Sequence, residues 1–251
     1  MRRYAGDDAQ QVVVIGGVEA PRRRRRAPPA GHDAEPVDVT RATVIAAEPL
    51  DGEPRAEAWI GRAQATVPAA LAVLNGALHA RRIAAADPYA GEIALRHALV
   101  TRVGYGTGEQ VAEGRWTAAH ELPPERPRIA REAALRPQER FAALLAGRDA
   151  ALACELLALR ARLDLEHGRD REAALQLEAA LGAAIAELEG WRDLEGIAER
   201  REELGGLAEG VGAAAAAART GTLDEEKRSV VEHALGRLEA ALRARTARAQ
   251  F

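Results

Sequence analysis

The sequence predicts an all-α fold: helical hairpins or a small bundle in two units, behind a disordered basic N-terminal segment. Three observations carry this. Hydrophobic residues make up 47% of the 251-residue chain but aromatics only 3%, and much of the rest is alanine. Alanine favours helix and buries little area, so the core is thin and made of leucine, valine and isoleucine, whereas a sheet would need β-branched and aromatic residues. Helix start and stop signals punctuate the chain after Pro54. Leucines recur at helical spacing from Arg140 to the end.

In order along the chain, residues 1–36 carry the unbroken run Arg22–Arg26 and then Pro28-Pro29. Like-charge repulsion and proline disfavour a compact element there. Gln11–Gly17 and Val37–Ala46 have strand composition and would pair as a minor two-stranded ribbon, with a connector to residue 53. A small helical unit is expected over 54–121. Thr66 and Pro68 mark one helix start, followed by Leu71, Leu74 and Leu78. Asp87-Pro88 marks a second helix, through Ile93, Arg96, Val100 and Val103. It would stop at Gly104-Tyr105-Gly106-Thr107-Gly108, and Thr107 with Gln110 would start a short helix toward Trp116. Pro123-Pro124 and Pro127 place a linker over 122–128.

A second unit, a helical hairpin or bundle, spans 129–251. Phe141, Leu145, Leu152, Leu156, Leu159 and Leu163 form one apolar stripe, with a weak point at Gly147. Gly168 and Asp170 make the turn into a second helix, whose facing stripe is Ala174, Leu177, Leu181, Ile185 and Leu188. Gly205-Gly206 predicts a break or kink in the next helix. Thr222 and Glu225 have capping-box spacing before the last helix, and Arg243, Arg245 and Arg248 at its end suit the helix dipole.

Gly168, Ala173, Leu177 and Ala180-Leu181 match, in order and spacing, the second helix of a tetratricopeptide repeat. About residues 141–189 thus resemble a single hairpin of that family, although Ile185 stands where the closing proline would fall. The resemblance implies a helical protein-interaction surface and no catalysis.

Composition and motifs bound the chemistry. The net charge is -3, so no global field draws the chain to nucleic acid or anionic lipid. Lys227 is the only lysine, and such arginine bias lowers the weight of any one arginine run. Cys154 is the only cysteine, which excludes an internal disulfide and multi-cysteine metal sites; a leucine-flanked helix position suits a buried thiol. No apolar run spans a bilayer or makes a signal-peptide core, so a cytoplasmic protein is expected. Val12–Gly17 resembles a dinucleotide-binding strand, but Pro21 and five arginines replace the helix that must follow. Gly104–Gly108 lacks the lysine of a phosphate loop and leads into Glu109. The six histidines fall at no ligand spacing. No catalytic, cofactor or metal site is expected.

The leading functional expectation is a non-enzymatic interaction or scaffold module that binds a protein partner or itself. Its candidate interaction residues are Arg22, Arg23, Arg24, Arg25, Arg26, Tyr105 and Trp116. The alternative is a nucleic-acid-binding regulator using Arg22–Arg26 and a helix–glycine–helix segment around 93–116, with Arg96, Arg102 and Arg115 on phosphates.

Overall fold

The structure, a computed structural model, describes residues 11–18, 39–46, 48–123 and 131–248. The Arg22–Arg26 run and most of the segment expected to be disordered lie outside the described residues. The described chain is mostly helical, with two small two-stranded sheets. It falls into two compact units, Met1–Pro127 and Arg128–Phe251.

In the first unit, β1 (Gln11–Val18) pairs antiparallel with β2 (Val39–Ala46), Val12 opposite Ile45 and Val18 opposite Val39. The ribbon expected from composition is therefore present. α1 (Glu53–Ile60) and α2 (Val67–Ala85) follow, and α2 packs against both strands of the ribbon. Pro68 sits in the first turn of α2, as its fixed φ favours. Thr66 does not cap it; its hydroxyl donates back to the Ala63 carbonyl at 2.6 Å.

The helix expected from Asp87 to Val103 does not form. The Asp87 carboxylate accepts the Tyr89 amide at 2.9 Å, making a local turn instead of a helix cap. Buried Asn75 then holds Ile93 extended: its amide donates to the Ile93 carbonyl and its oxygen accepts the Ile93 N–H, both at 3.0 Å. Next comes a β-hairpin of β3 (Thr101–Tyr105) and β4 (Ala118–Leu122), with Tyr105 opposite Ala118. Gly104 lies inside β3 and does not stop a helix, so the stretch 54–121 is helical only in part. Leu122, read as the start of a linker, belongs to β4.

The second unit begins with α3 (Arg131–Leu145). α4 (Ala153–Glu166), α5 (Asp170–Glu187), α6 (Ile197–Thr220) and α7 (Glu225–Arg248) then form a bundle in which successive helices pack together and α7 returns to α4 and α5. Arg140–Glu189 therefore holds three helices and not two, because α3 stops before Gly147, which takes φ +69°. Gly168, at φ +68°, makes the expected α4–α5 turn in a conformation that glycine adopts without cost. Asp164 fixes that turn: its carboxylate accepts Arg169 Nε at 2.5 Å and the Gln176 amide, and its carbonyl accepts the Arg169 N–H at 2.8 Å.

α6 runs without a break through Gly205-Gly206. Its buried residues Ile197, Leu204, Val211 and Ala218 recur every seventh position, matched on α7 by Val231, Leu238 and Arg245. That seam outweighs roughly 1 kcal/mol of helix propensity lost per glycine. The last helix is capped by Asp224, which accepts the Lys227 N–H at 2.8 Å, and not by Thr222.

Candidate interaction surface

α4 carries two apolar faces. The inward face is Cys154, Ala158, Ala161 and Leu165, all buried. Its small side chains let α4 and α5 approach closely, where α5 supplies Ala173, Leu177, Ala180, Leu181 and Ala184. The outward face is Leu156, Leu159 and Leu163. Leu156 is 53% exposed and Leu159 69% exposed, while Leu163 is half-buried; Leu152, just before α4, packs against the core instead. The stripe expected to form the core therefore faces solvent. Phe141 and Leu145, which were to continue it, lie on α3 and are 62% and 74% exposed. The core falls instead on the small-residue face, because the buried alanines Ala173, Ala174, Ala180 and Ala184 of α5 favour small partners opposite.

An ion cluster fixes the start of α4. Glu155 accepts the Leu152 N–H at 3.0 Å and binds Arg140 Nη2 through both oxygens, at 2.6 and 2.8 Å. Glu187, at the end of α5, accepts the Ala153 and Cys154 amides at 3.0 and 3.1 Å. Two carboxylates thus satisfy amides that the first turn of a helix leaves without partners, and their charge suits the dipole. Burial pushes the Glu187 carboxyl up, but bonds from the Cys154 thiol and the two amides outweigh it and hold it below its usual value. The same burial, helped by Glu187, pushes the Cys154 thiol up to about 12, so it stays protonated and inert at neutral pH.

Arg245 closes the cluster from α7. It is fully buried, and its Nη2 donates to Asp149 at 2.6 Å. Its Nη1 lies 3.6 Å from Glu155, and its guanidinium stacks over the Trp191 ring, 4.2 Å from the centroid. Asp149 also accepts Arg140 Nε at 3.0 Å and the Ala150 amide at 2.8 Å. Burial alone would raise the Asp149 carboxyl, yet the two arginines and the amide lower it. Sequence reasoning gave Arg245 only a place near a helix end, where its charge suits the dipole. The available signal was its place seven residues after Leu238, on the buried seam of α7. Farther along α4, Arg162 binds Glu239 of α7 through two bonds of 2.8 and 2.9 Å.

The other residues singled out from sequence lie elsewhere. Tyr105 ends β3, and its carbonyl accepts the Thr117 amide at 2.9 Å. Trp116 packs against Gly104, and its ring thus braces the β3–β4 hairpin. Tyr89, by contrast, is 93% exposed. The segment around 93–116 proposed to read nucleic acid holds β3 between two short 3₁₀ turns, Leu95–His97 and Glu109–Val111, with no recognition helix. Arg102 is paired with Glu121 at 2.9 Å, and Arg115 with Glu113. A shallow groove of about 680 Å³ beside α6, lined by Ile185, Glu199, Arg201 and Glu202, carries no convergent polar set. Among the described residues, no helix is long and apolar enough to cross a membrane.

No family model, no curated protein and no solved structure matches this chain.

Proposed function

We propose that the chain is a helical docking protein, in which the second unit holds α4 so that its leucine stripe receives a partner helix. The observation that carries this is the exposure of Leu156 and Leu159 on a helix whose opposite face is fully packed. A fully buried leucine is worth roughly 1.5–3 kcal/mol over an exposed one, so the exposed pair Leu156 and Leu159 is an unused driving force. The ion cluster at one end of α4 and the Arg162–Glu239 pair along it hold the stripe in one orientation, which lowers the ordering cost of binding. The tetratricopeptide-like pattern at Gly168–Leu181 supports the same reading.

The test is affinity capture with the full chain beside its Leu156→Gln/Leu159→Gln variant. Proteins, a tagged second copy included, should be retained by the wild type and lost by the variant at unchanged helicity. Retention of the same set by both, or of nothing by either, refutes the reading.

A further inference from the structure

We infer that the face of α2 carrying Asn75, His79 and Arg82 is a binding site for an extended acidic peptide, and that residues 87–94 are a strap filling it in cis. This site lies in the first unit and goes beyond the docking reading of α4. The three side chains are spaced four and three residues apart, so they stand on one face of α2. Asn75 accepts the Ile93 N–H and donates to the Ile93 carbonyl, both at 3.0 Å. Arg82 Nε donates to the Ala90 carbonyl, and Arg82 Nη2 lies 3.3 Å from one Glu92 oxygen. His79 Nδ1 lies 3.6 Å from the other. Asn75 is 2% exposed and the Glu92 side chain 4%, so these contacts are made out of water.

Recognition here uses the backbone of the strap and a single acid. Any extended chain with a glutamate at the same place presents the same groups. The apolar side chains of the strap are not what holds it, since Tyr89 and Ile93 are exposed. The strap leaves α2 through Ala86, which among the described residues is the one non-glycine with a positive φ, at 49°. Alanine is strained in that conformation, and opening the strap releases the strain. Polar attachment with little apolar burial marks a segment that opens locally while its surroundings stay folded. A short tether gives the strap an effective concentration of roughly millimolar at its own site, so a free peptide meets a competitor until the strap's recognised groups are removed.

The test is isothermal titration of the full chain with the peptide acetyl-Tyr-Ala-Gly-Glu-Ile-amide, which copies residues 89–93. The Glu92→Gln/Ile93→Pro variant removes the carboxylate and the N–H that the strap offers, and should bind this peptide about tenfold or more tightly than the wild type. Adding Arg82→Gln to that variant, or replacing the glutamate of the peptide with glutamine, should weaken binding again by about tenfold or more. A vacated variant that binds no better than the wild type overturns the inference, as does binding indifferent to Arg82 or to the acid of the peptide. Hydrogen exchange of the wild type tests the strap without any substitution, and decides the matter if dichroism shows the variant unfolded. The Ile93 amide should exchange about tenfold or more faster than those of Leu74 and Leu78 in α2. Millimolar peptide should speed it further and leave the α2 amides unchanged. Exchange at Ile93 as slow as in α2, or unmoved by the peptide, overturns the inference.

Discussion

Replacing Asp149 with alanine should unfold the second unit more readily than any surface substitution. The mutation removes an acceptor that is 1% exposed and that binds Arg245 at 2.6 Å, Arg140 at 3.0 Å and the Ala150 amide at 2.8 Å. Arg140 keeps Glu155 and is partly exposed, so its loss is small. Arg245 is fully buried and keeps only Glu155 at 3.6 Å, the Ala150 carbonyl at 3.4 Å and the Trp191 face. Stranding a buried charge in this way costs about 3–5 kcal/mol. For a unit of this size that lowers Tm by roughly 10–20 °C. Arg245→Met in the same chain removes the stranded charge and keeps an apolar stem against Trp191. The double variant should therefore be more stable than Asp149→Ala alone by at least about 1 kcal/mol. Urea unfolding followed by far-ultraviolet dichroism measures all three. A loss below about 1 kcal/mol for Asp149→Ala, or a double variant as unstable as the sum of the singles, would refute the reasoning.

Three further outcomes follow from the same geometry. Asp149 and Glu187 have folded-state values held below the ordinary 3.8 and 4.5. Their contribution is thus complete above those ordinary values and fades as pH falls through the lowered ones, so Asp149→Ala and the wild type should converge in stability toward pH 3 in an acid titration. Cys154 should resist a thiol reagent at pH 8 in the native protein and react on addition of urea. The rise from 9.0 to about 12 cuts its thiolate fraction about a thousandfold, and a native rate equal to the unfolded one would contradict the buried placement. Gly104→Ala should disrupt the β3–β4 hairpin, since its Cβ would lie 1.9 Å from Trp116 Cε3 and 2.4 Å from the Ala118 carbonyl oxygen. Relieving such overlap costs about 1–3 kcal/mol or more. Trp116 emission should shift to the red, and an unaltered spectrum would show that the ring packs elsewhere.

The helical character of the second unit was legible because it rests on local signals: glycine at a left-handed turn, aspartate at a helix start, leucine every three or four residues. Which face of α4 is buried was not legible. Leucine outranks alanine on any scale of hydrophobicity, so sequence alone assigns the leucine face to the core. The choice was made by α5, whose run of alanines favours close helix contact over a leucine layer. The hairpin at Thr101–Leu122 was missed for a related reason. Asp87-Pro88 is a valid helix start, but Asn75, distant in sequence, holds Ile93 extended through two hydrogen bonds. The burial of Arg245 was not legible at the helix end where its charge suits the dipole; the acidic groups that bring it inside come from the loop after α3 and from α4. Long-range pairings of this kind leave no mark at either partner's own position.

The side of α4 that meets solvent decides whether the helix offers a docking surface. Single cysteines placed at 156, 159, 161 and 177 in a Cys154→Ala background can be labelled at nanomolar concentration, where association between copies is negligible. The account predicts rapid labelling at 156 and 159 and slow labelling at 161 and 177. Protection at 156 and 159 together with exposure at 161 would reverse the helix and remove the docking surface.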